Sequence, residues 1–144
     1  MSRNKAVWGR PWLQAEEVWA RIDWPHQRPL LVACSGGGDS LALLDLLDGG
    51  PWPLQVAYLD HGSGTNPVEV VDFCQRRGLK LWRRQLRVSA WAARYRMSWE
   101  AAARHLRYSW LLSLARRQDA MLVTGHSADD QAETVLLRLV QGTT

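Results

Sequence analysis

Leu30-Leu31-Val32-Ala33-Cys34-Ser35-Gly36-Gly37-Gly38-Asp39-Ser40 decides how the rest of the chain is read. Its first five residues are an uninterrupted apolar run, the pattern of a strand buried on both faces. Three glycines follow, and a helix is predicted from there to about Leu47. Glycines let a backbone turn tightly and aim successive N–H groups into one concavity. A helix N-terminus beyond them adds partial positive charge. The segment therefore reads as an anion cradle, in which the hydroxyls of Ser35 and Ser40 donate to phosphate oxygens. Asp39 would repel a phosphate directly, but its charge is accounted for if it holds a magnesium ion that bridges to the phosphates. The loop lacks the Gly-Lys-Ser/Thr ending of a Walker loop and the GxGxxG dinucleotide spacing. The alternative is a plain Gly-rich turn capped by Ser or Asp.

Working outward, strands and helices alternate. Gly49, Gly50, Pro51 and Pro53 break the chain before a second strand, 54–59. A polar loop, 60–66, leads to a helix from Pro67 to about Arg77, ended by Gly78; Pro suits a helix start because its missing N–H would have no partner there. A third strand is predicted over 79–87, a long helix over 99–117 with Ser98 as N-cap, a fourth strand over 120–124, and a helix over 129–141 closed by Gly142. Upstream, residues 12–24 have an amphipathic helical pattern stopped by Pro25. Such alternation predicts an α/β fold, a doubly wound parallel sheet with helices on both faces and right-handed crossovers. Ligands of such sheets lie beyond the carboxyl ends of the strands, where strand order reverses. The loops at 35–39, 60–66 and 125–129 should therefore form one site.

Charge is unevenly spread. Between Arg76 and Arg117 lie twelve basic residues and one acid, Glu100, although the whole chain is only +4. Clustered arginine suits a polyanion, whose counterions it releases. The alternative is that arginine replaces lysine on solvated faces, since sixteen of the eighteen basic residues are Arg. Trp82, Trp91, Tyr95, Trp99, Tyr108 and Trp110 interleave the segment; some are readable as base-stacking rings, but at helical spacing most are expected in the core. On the long helix Trp99, Ala103, Leu106, Trp110 and Leu114 recur at three- and four-residue steps and read as core. Glu100, Arg104 and Arg107 flank that stripe, half buried.

Other classes are set aside. No apolar run approaches the length of a membrane-spanning helix, and the start, MSRNKAVWGRPW, shows no secretory h-region. The expectation is a cytoplasmic protein with no membrane partner. Cys34 and Cys74 are too few for a disulfide framework or a four-ligand zinc site. They are expected to be plain buried thiols.

The string Ser35-Gly36-Gly37-x-Asp39-Ser40 after a hydrophobic strand resembles the PP-loop of the N-type ATP pyrophosphatases. Three further stretches narrow the resemblance. They are Ala57-Tyr58-Leu59-Asp60-His61-Gly62, then Trp99-Glu100-Ala101-Ala102-Ala103-Arg104-His105-Leu106-Arg107-Tyr108, and finally the run from Gly125-His126-Ser127-Ala128-Asp129-Asp130 to Leu139. In that order, over roughly four-fifths of the chain, they are similar to the tRNA(Ile)-lysidine synthetase family. The resemblance implies an adenine-nucleotide alpha-hydrolase-like fold. It also implies an ATP- and Mg2+-dependent ligase that adenylates the wobble cytidine of an isoleucine tRNA and joins free L-lysine to it. Residues 30–144 would then be the ATP-binding catalytic domain and 1–29 an N-terminal helix and linker, with a homodimer left open.

Within that resemblance Ser35, Gly36, Gly37, Gly38, Asp39, Ser40, His61 and His126 are candidate ATP ligands. Asp39 and Asp129 are candidate metal ligands. Asp39, Asp129, Arg104 and Arg107 are candidate catalytic residues. His61 and His126 are equally readable as a turn residue and a helix cap, and Arg104 as a helix-surface partner of Glu100. Asp129 and Asp130 also suit a helix N-terminus, and Glu133 either assists Asp129 or pairs with an arginine. The turn 62–67 is shorter than the resemblance leads one to expect, and a serine follows His61-Gly62 where a basic residue is usual. The chain also ends where helical and C-terminal regions of the family would begin, so it reads as part of an enzyme. Two alternatives are a tRNA thiolase-like relative and a non-catalytic ATP-binding module.

Overall fold

The computed structural model describes residues 20–21, 27–62, 67–126 and 134–138. The elements run β1 (Leu30–Cys34), α1 (Gly38–Leu47), β2 (Leu54–Asp60), α2 (Val68–Arg77), β3 (Lys80–Gln85), α3 (Val88–Tyr95), α4 (Trp99–Arg117), β4 (Met121–His126) and β5 (Thr134–Arg138). They build one sheet in the order β3-β2-β1-β4-β5. The first four of these strands are mutually parallel.

β1 is central because it is apolar on both sides. Leu30, Val32 and Cys34 join one buried layer with Leu44 and Leu47 of α1 and Val70 and Cys74 of α2. Leu31 joins the other layer, with Val88 of α3 and Trp110, Leu111 and Leu114 of α4. The period-two alternation of the strand thus sends neighbouring side chains to opposite helix layers. Both cysteines are free and buried, as expected.

Several predicted punctuation marks hold. Gly78 closes α2 at φ 64, a left-handed cap that glycine adopts without Cβ strain. Ser98 caps α4, accepting from the Ala101 N–H at 3.2 Å. Of the expected helix over 12–24, Ala20 and Arg21 are helical and the rest lies outside the described residues.

Two elements depart from expectation. α3 was not foreseen, because neither of its ends carries the usual sequence mark. Its N-cap, Arg87, makes no side-chain cap, and its C-cap is Arg96 at φ 52 where a glycine would be the readable sign. In place of the helix expected over 129–141, Thr134–Arg138 is a strand antiparallel to β4, with Gly125 opposite Val135. Thr134 and Val135 are β-branched and suit a strand. The connection from His126 is also too short for a parallel crossover but ample for an antiparallel return. The sheet is therefore parallel with one antiparallel edge strand.

Arg77 ties α1 to α2. Its guanidinium reaches Asp45 at 2.6 Å and Asp48 at 3.0 Å, and lies 3.7 Å over the Phe73 ring. Asp48 is largely shielded, its side chain 13% exposed. An Arg77→Ala chain is expected to lose about 1–2 kcal/mol in a denaturant melt, a modest value because the pair is partly solvated.

Candidate functional site

The loop after β1 is tied by its own hydroxyls. Gly36 sits at φ 85, a conformation that admits glycine far more readily than other residues. Ser40, buried in the first turn of α1, donates its one hydroxyl proton to the Gly37 carbonyl at 2.9 Å. Its oxygen accepts from the Ser35 N–H at 3.3 Å and the Cys34 thiol at 3.4 Å. This corrects the expectation that both serines face an anion, since the Ser40 proton is committed to the loop itself. Ser35 remains exposed, its oxygen accepting from the Gly37 N–H at 3.4 Å. α1 starts at N-cap Gly37 without a side-chain cap, so the N–H groups of its first turn are left for a ligand. Asp39 stands exposed in that turn.

Beside the loop lies a cavity of about 240 Å³ at the carboxyl ends of β1, β2 and β4. Ser35 and Ser40 contribute from the loop, Ala57 and Leu59 from β2, Thr124 and Gly125 from β4, and Arg107, Tyr108 and Leu111 from α4; His61 follows β2. β1 has β2 on one side and β4 on the other, so the chain reverses strand order here, where such sheets bind ligands. At Gly125 an added Cβ would come to 3.0 Å from Leu43 Cδ2, so the leucine would have to give slightly.

His61 is half-buried at this cavity, with its Nδ1 atom fully shielded. Its Nε2 lies 3.5 Å from an Arg107 Nη. Arginine is only a donor, so Nε2 accepts and the proton of a neutral ring sits on Nδ1. That Nδ1 is buried without a partner among the described residues, a donor that asks for an acceptor on a ligand. Burial, and then the Arg107 guanidinium, lower the His61 pKa, and Asp60 opposes them. Folded His61 therefore takes up its proton at lower pH than unfolded His61. Its contribution is fully present above the ordinary value of 6.5 and is lost as pH falls below it. Titrated from pH 7.5 downward, the parent chain should lose stability faster below about pH 6.5 than a His61→Gln chain. Parallel curves would remove His61 as the cause.

The structure separates the two candidate arginines. Arg107 is half buried and lines the cavity. Arg104 is exposed, its guanidinium 5.4 Å over the Tyr108 ring, and Glu100 is exposed too. The expectation that Glu100 and Arg104 are half buried is thus corrected. Trp99 is also not core, being 45% exposed at the helix start. His126 ends β4 next to the cavity residue Gly125. Asp129, Asp130 and Glu133 lie outside the described residues. No group of three or more metal-ligating side chains occurs among the described residues.

The twelve basic residues of 76–117 do not form one patch. Arg76 pairs with Asp72 and Arg77 with Asp45 on the α1/α2 layer. Arg94, Arg104 and Arg107 belong to the α3/α4 layer, and Arg116 and Arg117 end α4 at the opposite end of the sheet. What remains together is a smaller group near the carboxyl end of β3: Arg84, Arg87 and Arg94.

Tyr108, named from sequence only among the interleaving aromatics and within a quoted motif, and Thr124, not named at all, both line the cavity. The available signal was position, since Thr124 is at the carboxyl end of a predicted strand and Tyr108 adjoins Arg107.

No helix among the described residues is long and apolar enough to cross a membrane. In comparison with known proteins, the model of the ATP-binding family described as a PP-loop domain matches residues 13–144. Curated relatives named tRNA(Ile)-lysidine synthase are similar over most of the chain. One from Parasynechococcus marenigrum is 42% identical over 127 residues, covering 83% of this chain and 36% of the relative. One from Thermus thermophilus is 41% identical, covering 80% and 24%. One from Bacteroides thetaiotaomicron is 36% identical, covering 79% and 28%. The chain thus spans between about a quarter and a third of these relatives' lengths. With its glycine loop, uncapped helix start and switch-point cavity in place, the chain belongs to the PP-loop domain family.

Proposed function

We propose that this chain is the ATP-binding catalytic part of an enzyme that joins free L-lysine to the wobble cytidine of an isoleucine tRNA in the cytoplasm. The observation that carries the reading is the cavity itself. A glycine loop leading to an uncapped helix start, an arginine and a half-buried histidine meet at the strand ends where this fold takes a nucleotide. The relatives' shared name supplies the substrate class.

In the first step the cytidine O2 attacks the α-phosphorus of ATP, the bond to the β-phosphate oxygen breaks, and pyrophosphate leaves. In the second, the amine of lysine attacks the activated base carbon, the carbon–oxygen bond breaks, and AMP leaves with the oxygen. Neither step needs a protein nucleophile. The chain contributes position and fixed charge: the loop N–H groups hold the pyrophosphate end and Arg107 balances charge that builds on the phosphoryl oxygens. Asp39, exposed above the loop, suits a magnesium ion held by one or two carboxylates and by phosphates. Magnesium would neutralise phosphate charge when bound. Asp129 is proposed as the second carboxylate and as the group that orients or deprotonates the lysine amine.

Sulfur transfer fits less well. Cys34 is buried beneath Ser40, and burial pushes the Cys74 thiol up to about 11, far from a thiolate at neutral pH.

The deciding experiment follows pyrophosphate release from ATP by the full-length enzyme. Release should require isoleucine tRNA, and AMP should follow once lysine is added. An Asp129→Ala enzyme should still bind ATP but form almost no AMP. Pyrophosphate release indifferent to tRNA would overturn the tRNA reading and leave a general PP-loop ATPase.

A further inference from the structure

A second concavity, of about 420 Å³, lies beside the catalytic one. Arg84 and Arg87 flank it from the end of β3 and the turn after it, Trp91 and Arg94 from α3, and Leu106 from α4. All three arginines are exposed, and no carboxylate among the described residues lines the groove. It adjoins the reaction site: the Leu86 N–H donates to the Asp60 carbonyl at 2.9 Å, which joins the β3 end to the β2 end that leads into His61.

Aromatic rings stand at the groove and, separately, at the cavity. Trp91 packs 4.4 Å from Tyr95 and lies nearly parallel to His105 at 5.7 Å. Tyr95 is 49% exposed and Trp99 45%, high values for rings that a core would cover. Trp99 meets His61 edge-on at 6.4 Å, so the exposed indole reaches the cavity's own histidine.

We infer that this groove and its aromatic rim are a track for single-stranded RNA. Phosphates lie along Arg84, Arg87 and Arg94, and an unpaired base stacks on Trp99 at the mouth of the cavity. Guanidinium groups spaced along a channel with stackable rings at its end recognise a flexible polyanion with flat bases. An acidic peptide would use the charges and leave the rings without a role. The inference rests on the RNA reading above and specifies which surface of this chain meets the strand.

The test uses this chain and a single-stranded oligoribonucleotide of about 12 nucleotides. Its affinity is measured across a salt series by fluorescence anisotropy. Each lost phosphate contact should flatten the plot of log affinity against log salt by about 0.7. The combined Arg84→Ala, Arg87→Ala, Arg94→Ala chain should therefore lose about 2 from the slope. The matching Arg→Lys chain should keep it, and an Arg116→Ala, Arg117→Ala chain, altered at the far end of α4, should match the parent. Trp99→Ala should weaken binding at least about fivefold with the slope unchanged. ATP affinity, read separately, certifies that each variant is folded.

Equal slopes for the groove triple and the far-end double would overturn the proposal, as would a parent chain that binds no RNA. Polyglutamate binding as tight as RNA, untouched by Trp99→Ala, would make the groove a protein-docking site and overturn it too. If the groove variants behave as expected while tRNA fails to trigger pyrophosphate release, the surface stands and the lysidine reading falls.

Discussion

An Arg107→Ala chain is expected to release pyrophosphate about 10²–10³-fold more slowly than its parent, with its melting temperature little changed. Arg107 belongs to α4, a nineteen-residue helix packed along the sheet, so its position is set by rigid backbone. Among the described residues that line the cavity it is the permanent cation, and the His61 pKa is lowered below its ordinary value. Charge that grows on the α-phosphoryl oxygens during displacement meets that guanidinium in a partly enclosed space, where a fixed charge counts for more than in water. Its approach to His61 is long at 3.5 Å, so little folding energy rests on it. Arg107→Lys should recover only part of the rate, since an ammonium cannot hold two oxygens in one plane. The pH profile supplies an independent check. Removing Arg107 removes one of the causes that lower the His61 pKa, so any His61-dependent acid limb should move to higher pH. A full rate with an unmoved acid limb would exclude Arg107 from the chemistry.

The second large effect is expected at Gly36. At φ 85 it occupies a region that a β-branched residue adopts only with strain. Gly36→Val should weaken ATP binding at least about tenfold, measured by calorimetry, because the loop must leave the conformation that gathers its N–H groups. Gly38 offers the informative contrast. A Cβ there would meet nothing within 4 Å, and Gly38 is the first residue of α1. Gly38→Ala should keep or slightly raise stability, since alanine favours helix over glycine by up to about 1 kcal/mol. If it still loses ATP affinity, the space above Gly38 is space a nucleotide fills. If Gly36→Val binds ATP normally, the loop is not the cradle.

The sequence was most legible where geometry is local. Apolar runs marked β1, β2 and β4 because a strand buried on both faces tolerates little else, and β1 reads almost residue for residue from 30 to 34. Gly78 and Ser98 marked helix ends because their chemistry at those positions is specific. α3 escaped notice because arginines occupy both of its caps. The segment 134–138 was misread because Thr-Val-Leu-Leu suits either a buried helix or a strand, and pairing with the edge of β4 decides between them. At the site, Ser35, His61 and Arg107 were foreseen and line the cavity together. Arg104 was not distinguishable from Arg107 by sequence, since residues three apart share one face of a helix and only the packed neighbours show which of them meets the cavity. Ser40 was foreseen as present and misjudged in task, because hydrogen-bond direction depends on where the Gly37 carbonyl points.

That last point reaches beyond one serine. A loop knotted by its own hydroxyl before any ligand arrives has already lost its conformational freedom when the chain folds, so a nucleotide need not impose that order on binding. Folding and affinity then share a single atom. Drift at position 40 would be felt twice, in how often the chain is folded and in how firmly the folded chain holds its ligand.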